Sequence, residues 1–247
     1  MARVRIRVLG CGDAFGSGGR LQTCFAVTAG AERFLIDCGA TALVGMRRFG
    51  VDPGEIDAIL LSHLHGDHFG GVPFFLLHEH HAAKRTRPLV IAGPEGLAAR
   101  IDALLEASFP GAEQAKWRFP LKLIELKPGA TATVRSLRVQ AHPVAHPSGT
   151  PSLGLRVRAN GKTVAYSGDS EWTDTLVPLA QDADLFICEC YAFDRPVSSH
   201  LSYQELRTKR DALTARRIVL THMSEEMLAR LDEVELETAD DGQLIEL

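Results

Sequence analysis

Between Leu61 and Gly71 the chain reads LSHLHGDHFGG, so His63, His65, Asp67 and His68 fall within six residues at the end of an apolar run. Imidazole nitrogen and carboxylate oxygen suit a borderline cation such as Zn²⁺, and four such donors this close can hardly all face away from one point. A strand over 58–61 would send His63 and His65 to one side by its period of two, while the turn at Gly66 swings Asp67 and His68 toward a neighbouring position. Two pairs of donors suggest two metals. The competing reading is a histidine-rich surface loop. The fixed order H-x-H-x-D-H, the preceding apolar run and the following Gly70-Gly71 argue against it.

Such a loop needs a rigid mount, and the rest of the chain supplies one. Alternation and short apolar runs predict strands over 3–9, 24–28, 33–37, 56–62 and 89–92, with helices near 70–80 and 96–108. The second half repeats the plan, with strands near 122–126, 133–141, 154–159, 163–167, 185–190 and 218–221 and helices near 173–181 and 202–213. Asn160-Gly161 is a hairpin turn signal. Mixed elements of this kind predict an α/β fold, a four-layer αβ/βα sandwich of two sheets packed face to face with helices outside. With no linker or low-complexity stretch, residues 1–247 are expected to form one domain.

The run His63-Leu64-His65-Gly66-Asp67-His68 resembles the signature of the metallo-β-lactamase-fold hydrolases. That family takes its remaining ligands from later strand ends, and the matching positions here are His146 in AHPVAHPSG, Asp169 in AYSGDSEW and His222 in IVLTHMSEE. Asp37 in FLIDCG matches the carboxylate that braces the metal loop. The resemblance runs from about Val4 to His222. It implies a first metal on His63, His65 and His146, a second on Asp67, His68 and His222, and Asp169 bridging both. His142 rivals His146, because both precede a proline; His146 better matches the family's order of strand, ligand, loop and strand. Two divalent ions, Zn²⁺ first with Mn²⁺ or iron also suited, would lower the pKa of a water between them and yield a hydroxide nucleophile.

Outer residues narrow the resemblance. FICECYAFDRPVSSHLSYQEL is similar to the region of ribonuclease Z-like phosphodiesterases that pairs a strand glutamate with a loop histidine, here Glu189 and His200. The resemblance implies that His200 protonates the leaving oxygen, that Glu189 orients it, and that Asp67 belongs to the catalytic set. The glycine-rich Gly16 to Gly19 turn is a weaker match, offering backbone N–H groups to a phosphate. A full ribonuclease Z carries a long tRNA-gripping arm between its third and fourth ligand regions, but only 22 residues separate His146 from Asp169. The expected substrate is therefore a small or cyclic phosphodiester. Two alternatives stay open: a tRNA 3'-processing endoribonuclease, and a carbonyl hydrolase acting on a lactam or thioester at the same metal centre. A non-enzymatic binding module fits poorly, since a structural zinc closes with four ligands and seven are offered.

Composition bounds the remaining choices. A net charge of −4 argues against a surface that grips a polyanion throughout, so a small anionic substrate is expected ahead of nucleic acid. The basic run RTKRDALTARR reads as a solvated helix face, and HEHHAAKR, ending the first helix, is assigned to solvent. Five cysteines without a C-x-x-C read as buried thiols. The opening MARVRIRVLGCG has no signal-peptide core and no apolar run reaches membrane length, so a cytoplasmic location without a membrane partner is expected. A homodimer is left open.

Overall fold

The computed structural model describes residues 3–247. The first half supplies strands β1 (Val4–Gly10), β2 (Cys24–Ala29), β3 (Glu32–Ile36), β4 (Ala58–Leu60), β5 (Leu89–Gly93) and β6 (Leu121–Glu125). Its helices are α1 (Ala42–Arg48), α2 (Gly66–Phe69), α3 (Val72–Leu77) and α4 (Leu97–Ser108). The second half supplies β7 (Thr131–Val134), β8 (Leu137–Pro143), β9 (Leu153–Ala159), β10 (Lys162–Tyr166), β11 (Leu185–Glu189), β12 (Ile218–Thr221) and β13 (Glu237–Thr238). Helices α5 (Leu176–Ala180), α6 (Tyr203–Lys209) and α7 (Glu225–Leu228) accompany them, and β14 (Leu244–Glu246) returns to the first sheet.

The sheet orders are β14-β1-β2-β3-β4-β5-β6 and β13-β12-β11-β10-β9-β8-β7. Each is antiparallel on one side and parallel on the other, with β3 to β6 and β10 to β13 forming the parallel parts. Burial follows the pleat. In β5, Val90 and Ala92 enter the interior between the sheets, whereas Leu89 and Ile91 face the helices. In β11, Leu185 and Ile187 enter the same interior and Phe186 and Cys188 face the opposite helical layer. Strands covered on both faces need continuous apolar runs, which is why LVIAG and LFIC lack a polar alternation. Helix α4 buries Leu97, Ile101 and Leu105, one stripe at helical spacing. Helices, sheet, sheet and helices make the expected four-layer αβ/βα sandwich. Among the described residues, no helix is long and apolar enough to cross a membrane, and all five cysteines are buried free thiols.

Several local expectations are corrected. The strand expected over 133–141 is a hairpin, β7 and β8, turning at Arg135 and Ser136 with Arg135 at φ 55°. Glu32 holds that turn, accepting from Arg135 Nε at 2.9 Å and Ser136 Oγ at 2.8 Å. The helix expected over 70–80 is α3 running into a π turn over His78–Ala82, and the short α2, which was not expected, precedes it. Within the segment assigned to solvent, Glu79 is buried and takes a 3.0 Å ion pair from buried Arg85. Arg85 also donates to the Ile56 and Pro88 carbonyls, so its remaining donors are satisfied rather than stranded. The basic run that begins in α6 agrees better with expectation, since Arg207, Lys209 and Arg216 are exposed. Helices α1 and α7 and strands β13 and β14 were not anticipated.

Candidate metal centre

The parallel strands of both sheets deliver their carboxyl ends to one edge of the sandwich, the usual place for a site in α/β folds. Asp37 ends β3 at φ 57°, and its amide donates to the Leu60 carbonyl of β4. Its carboxylate accepts from the Ser62 amide at 2.7 Å, Ser62 Oγ at 2.8 Å and His68 Nδ1 at 2.7 Å. One buried side chain thus pins both ends of the 62–68 loop, as the resemblance implied. His146 stands in the loop between β8 and β9, Asp169 follows β10, and His222 follows β12 at φ 60°. Gly168 lies against the Leu153 carbonyl at φ 63°, a close approach that a Cβ would obstruct, and it turns Asp169 inward.

These donors form two groups whose ligand atoms lie within 4.8 Å of one another: His63, His65 and His146; and Asp67, His68, Asp169 and His222. Asp169 touches both, at 3.2 Å from His68 Nε2 and His222 Nε2, 3.8 Å from His63 Nε2 and 3.9 Å from His146 Nε2. All seven expected ligand residues are therefore brought together. His142 lies on β8 opposite Gly154 and joins no such group among the described residues.

The residues fit a bound cation. His63 Nε2, His68 Nε2 and Asp169 Oδ1 are buried without a hydrogen-bond partner, each a cost of about 1–3 kcal/mol if left so. The opposite nitrogens are fixed: His63 Nδ1 lies 3.0 Å from Ser62 Oγ, and His146 Nδ1 donates to the Ser199 carbonyl at 3.0 Å. Outer bonds of this kind set the tautomer that aims a lone pair at a metal. Burial holds the His63 imidazole below its usual pKa, keeping it neutral. Burial alone would raise Asp67 and Asp169, but the neighbouring imidazoles prevail and keep both carboxylates ionised.

Beside these groups, Glu189 ends β11 fully buried and bonds His200 Nδ1 through Oε1. Its Oε2 accepts from the Ser170 amide at 3.1 Å and the Leu201 amide at 3.0 Å. Burial pushes Glu189 up despite His200. Burial alone would lower His200, but the bond to Glu189 outweighs it and raises the imidazole's pKa. Tyr191, which sequence reasoning passed over, stacks on the His200 ring at 4.8 Å between centroids. His65, Asp67, His146, Asp169, His200 and His222 line a cleft of about 320 Å³.

One sequence expectation fails here. The amides of the Gly16 to Gly19 turn are spent internally: Gly18 N donates to Glu225 Oε1 at 2.7 Å and Gly19 N to the Gly16 carbonyl at 2.9 Å. They form no phosphate cradle. The residue missed was Asp13, buried at the base of that turn and accepting from the amides of Phe15 and Ser17 and from Ser17 Oγ.

Sandwich, strand-end donors and buried orphan nitrogens together define a metal-dependent hydrolase of the metallo-β-lactamase fold with ribonuclease Z-like relatives. The chain belongs to the family described as Anti-Pycsar protein Apyc1, which matches residues 4–242. It is similar to the uncharacterized protein ML1173 of Mycobacterium leprae (strain TN), 32% identical over 227 residues that cover 89% of this chain and 78% of the relative. Ribonuclease Z of Mycobacterium bovis (strain BCG / Pasteur 1173P2) is 30% identical over 193 residues, 74% of this chain and 69% of the relative. Among solved structures, the short form of human tRNase Z (ELAC1) superposes with a TM-score of 0.79 at 26% identity, covering 98% of each chain.

Proposed function

We propose that the chain is a binuclear metal-dependent phosphodiesterase acting on a small or cyclic phosphodiester. The observation that carries this reading is His200 at the wall of the donor cleft, bonded from behind by the buried Glu189. A phosphodiester expels an alkoxide, which a proton donor on that side assists, whereas a thioester expels a thiolate that needs none.

His63, His65 and His146 would hold one ion and Asp67, His68 and His222 the other, with Asp169 shared between them; Zn²⁺ suits this donor set best, and Mn²⁺ or iron also fit. Bound divalent ions supply Lewis acidity and an activated water. The remaining steps belong to side chains. With Nδ1 committed to Glu189, His200 carries its mobile proton at Nε2 and passes it to the leaving oxygen. Glu189 holds the ring in place through a carboxylate whose other oxygen is occupied by two amides. Asp67 and Asp169 offset part of the cationic charge, leaving a field that favours an anionic substrate. A cleft of about 320 Å³ is at the small end of ligand sites, and the 22 residues between His146 and Asp169 form only a loop and the β9–β10 hairpin. Both features favour a small substrate over a pre-tRNA.

The test is a substrate panel on metal-loaded protein: 2',3'- and 3',5'-cyclic nucleotides, bis(p-nitrophenyl) phosphate, a pre-tRNA, a β-lactam and a thioester. The highest kcat/KM is expected on a small phosphodiester. Faster turnover of the lactam or thioester would sink the reading, and faster turnover of the pre-tRNA would move it to the endoribonuclease alternative.

A further inference from the structure

The outward face of the second sheet carries a basic pocket whose residues take no part in the donor cleft. Arg138 and Gln140 of β8, Arg156 and Arg158 of β9 and Thr163 of β10 line a cavity of about 240 Å³. The pleat puts them there. Their chain neighbours Val139, Val157 and Val164 enter the interior between the sheets, so these five side chains point the other way. The register then sets like charges against each other: Arg138 stands directly opposite Arg158, an arrangement that costs stability, and Gln140 stands opposite Arg156. The flanking cross-strand partners are Thr131, Thr133, Thr163 and Ala165, so no carboxylate faces the arginines within the sheet.

Outward arginines of the first sheet are matched, since Arg5 stands opposite Glu246 and Arg33 pairs with Glu55 at 3.1 Å. Arg138, Arg156 and Arg158 enter no ion pair among the described residues, and Asp184, which accepts from the Thr163 amide, is committed to Lys162 and Arg216. Among the same residues the one side-chain hydrogen bond made by the pocket's donors runs from Arg156 Nη1 to the Leu179 carbonyl at 2.8 Å. Arg156 is half-buried, and burial pushes its guanidinium below the usual pKa, with Asp182 offsetting this only in part.

We infer that this pocket is a second anion site, one that takes the phosphate group of a small molecule away from the donor cleft. An arginine fork meets two phosphate oxygens at once, and three forks with an amide and a hydroxyl supply donors enough to surround a tetrahedral anion. A bound dianion also relieves the opposition of Arg138 and Arg158, so repulsion present in the free chain becomes part of the affinity. The cavity has the size of a small headgroup, no aromatic side chain lines it to stack a base, and a net charge of −4 disfavours a long polyanion.

Calorimetric titration of metal-loaded protein with inorganic phosphate, at low and constant ionic strength, tests this. Phosphate taken by the donor cleft is common to wild type and to the double variant Arg138→Gln/Arg158→Gln, so the pocket's share is the difference between them. The double variant is expected to lose one binding event per chain, or to weaken it at least about tenfold, with metal content unchanged. In phosphate-free buffer it should have the higher Tm, and phosphate should raise the wild-type Tm more than its own. Arg138→Lys keeps the charge but not the fork and should weaken binding; full retention would reduce the pocket to a diffuse positive field and overturn the inference. Equal phosphate binding, or an equal rise in Tm, in wild type and double variant overturns it as well. So does a uridine oligonucleotide that binds wild type when phosphate does not and is lost with the same two arginines, which would make the face a nucleic-acid surface.

Discussion

Glu189 and His200 are joined across 11 positions of chain by a hydrogen bond from the imidazole to a carboxylate that is fully buried at the end of β11. Glu189→Gln keeps the shape and removes the charge. Turnover of a phosphodiester is expected to fall about 10²-fold, within the range for losing general acid assistance, while metal content stays at the wild-type level. Kinetics together with elemental analysis check this; loss of metal in the variant would reassign Glu189 to the metal centre.

Asp37 anchors three donors, the Ser62 amide, Ser62 Oγ and His68 Nδ1. Asp37→Ala leaves the Ser62 amide without its acceptor and removes the carboxylate that holds Ser62 Oγ and the His68 ring. Metal affinity is expected to fall about 10–100-fold, and the fold to lose on the order of 2–5 kcal/mol. Metal titration and chemical denaturation measure the two losses separately.

Gly39 offers a sterically driven counterpart. A Cβ there would collide with the Asp67 carbonyl oxygen, which is backbone and cannot swing aside. Gly39→Ala is expected to cost about 1–3 kcal/mol and to displace the loop that carries Asp67 and His68, so reduced metal occupancy should accompany a lower Tm. Normal occupancy in a destabilised variant would uncouple the two.

Bound ions should stabilise the chain, because the partnerless nitrogens and Asp169 oxygen are found only in the folded state. Chelation is expected to abolish turnover and lower Tm, with about two equivalents of metal restoring both. Asp169→Ala, which removes the carboxylate within reach of both donor groups, should leave at most one loosely held ion.

Asp184, remote from the cleft, supplies a pH dependence. Partial burial alone would raise its carboxyl, but the Thr163 amide and then Lys162 and Arg216 hold it below the usual range. The folded state therefore binds its proton less readily than the unfolded chain, and the stabilisation is complete above the ordinary aspartate pKa. It disappears as pH falls through the lowered folded value. The Tm gap between wild type and Asp184→Asn should be largest near neutrality and close at acidic pH; a gap that widens on acidification would contradict the assignment.

The candidate donors could be singled out because they are chemically distinctive and because they fall near the ends of apolar or alternating runs that read as strands. Asp169 and His222 would each pass for an ordinary residue alone; only their order after the 63–68 cluster marked them. What escaped depends on distant partners. The Arg135-Ser136 turn contains no glycine, proline, asparagine or aspartate and is stabilised by Glu32, more than a hundred positions earlier. Glu79 and Arg85 look like solvent charges until the fold brings the Ile56 carbonyl to the guanidinium. Strand β14 is short, and β1 supplies its pairing from the other end of the chain. Asp13 sat inside a glycine-rich turn whose composition drew attention to its amides instead.

The Phe25 ring of the first sheet meets Tyr166 of the second edge-on at 5.7 Å, and the Tyr166 hydroxyl lies 3.4 Å from His68 Nδ1. Donors on the 62–68 loop ride with one sheet, while His146, Asp169 and His222 ride with the other. The coordination distances of a bound ion would thus gauge how the two sheets are registered. A conservative change deep in the shared interior, far from any solvent path, would be read out as a shift in reactivity before it became visible as a loss of folded protein, and a bound ion would confine drift of that interior to what its short bond lengths tolerate.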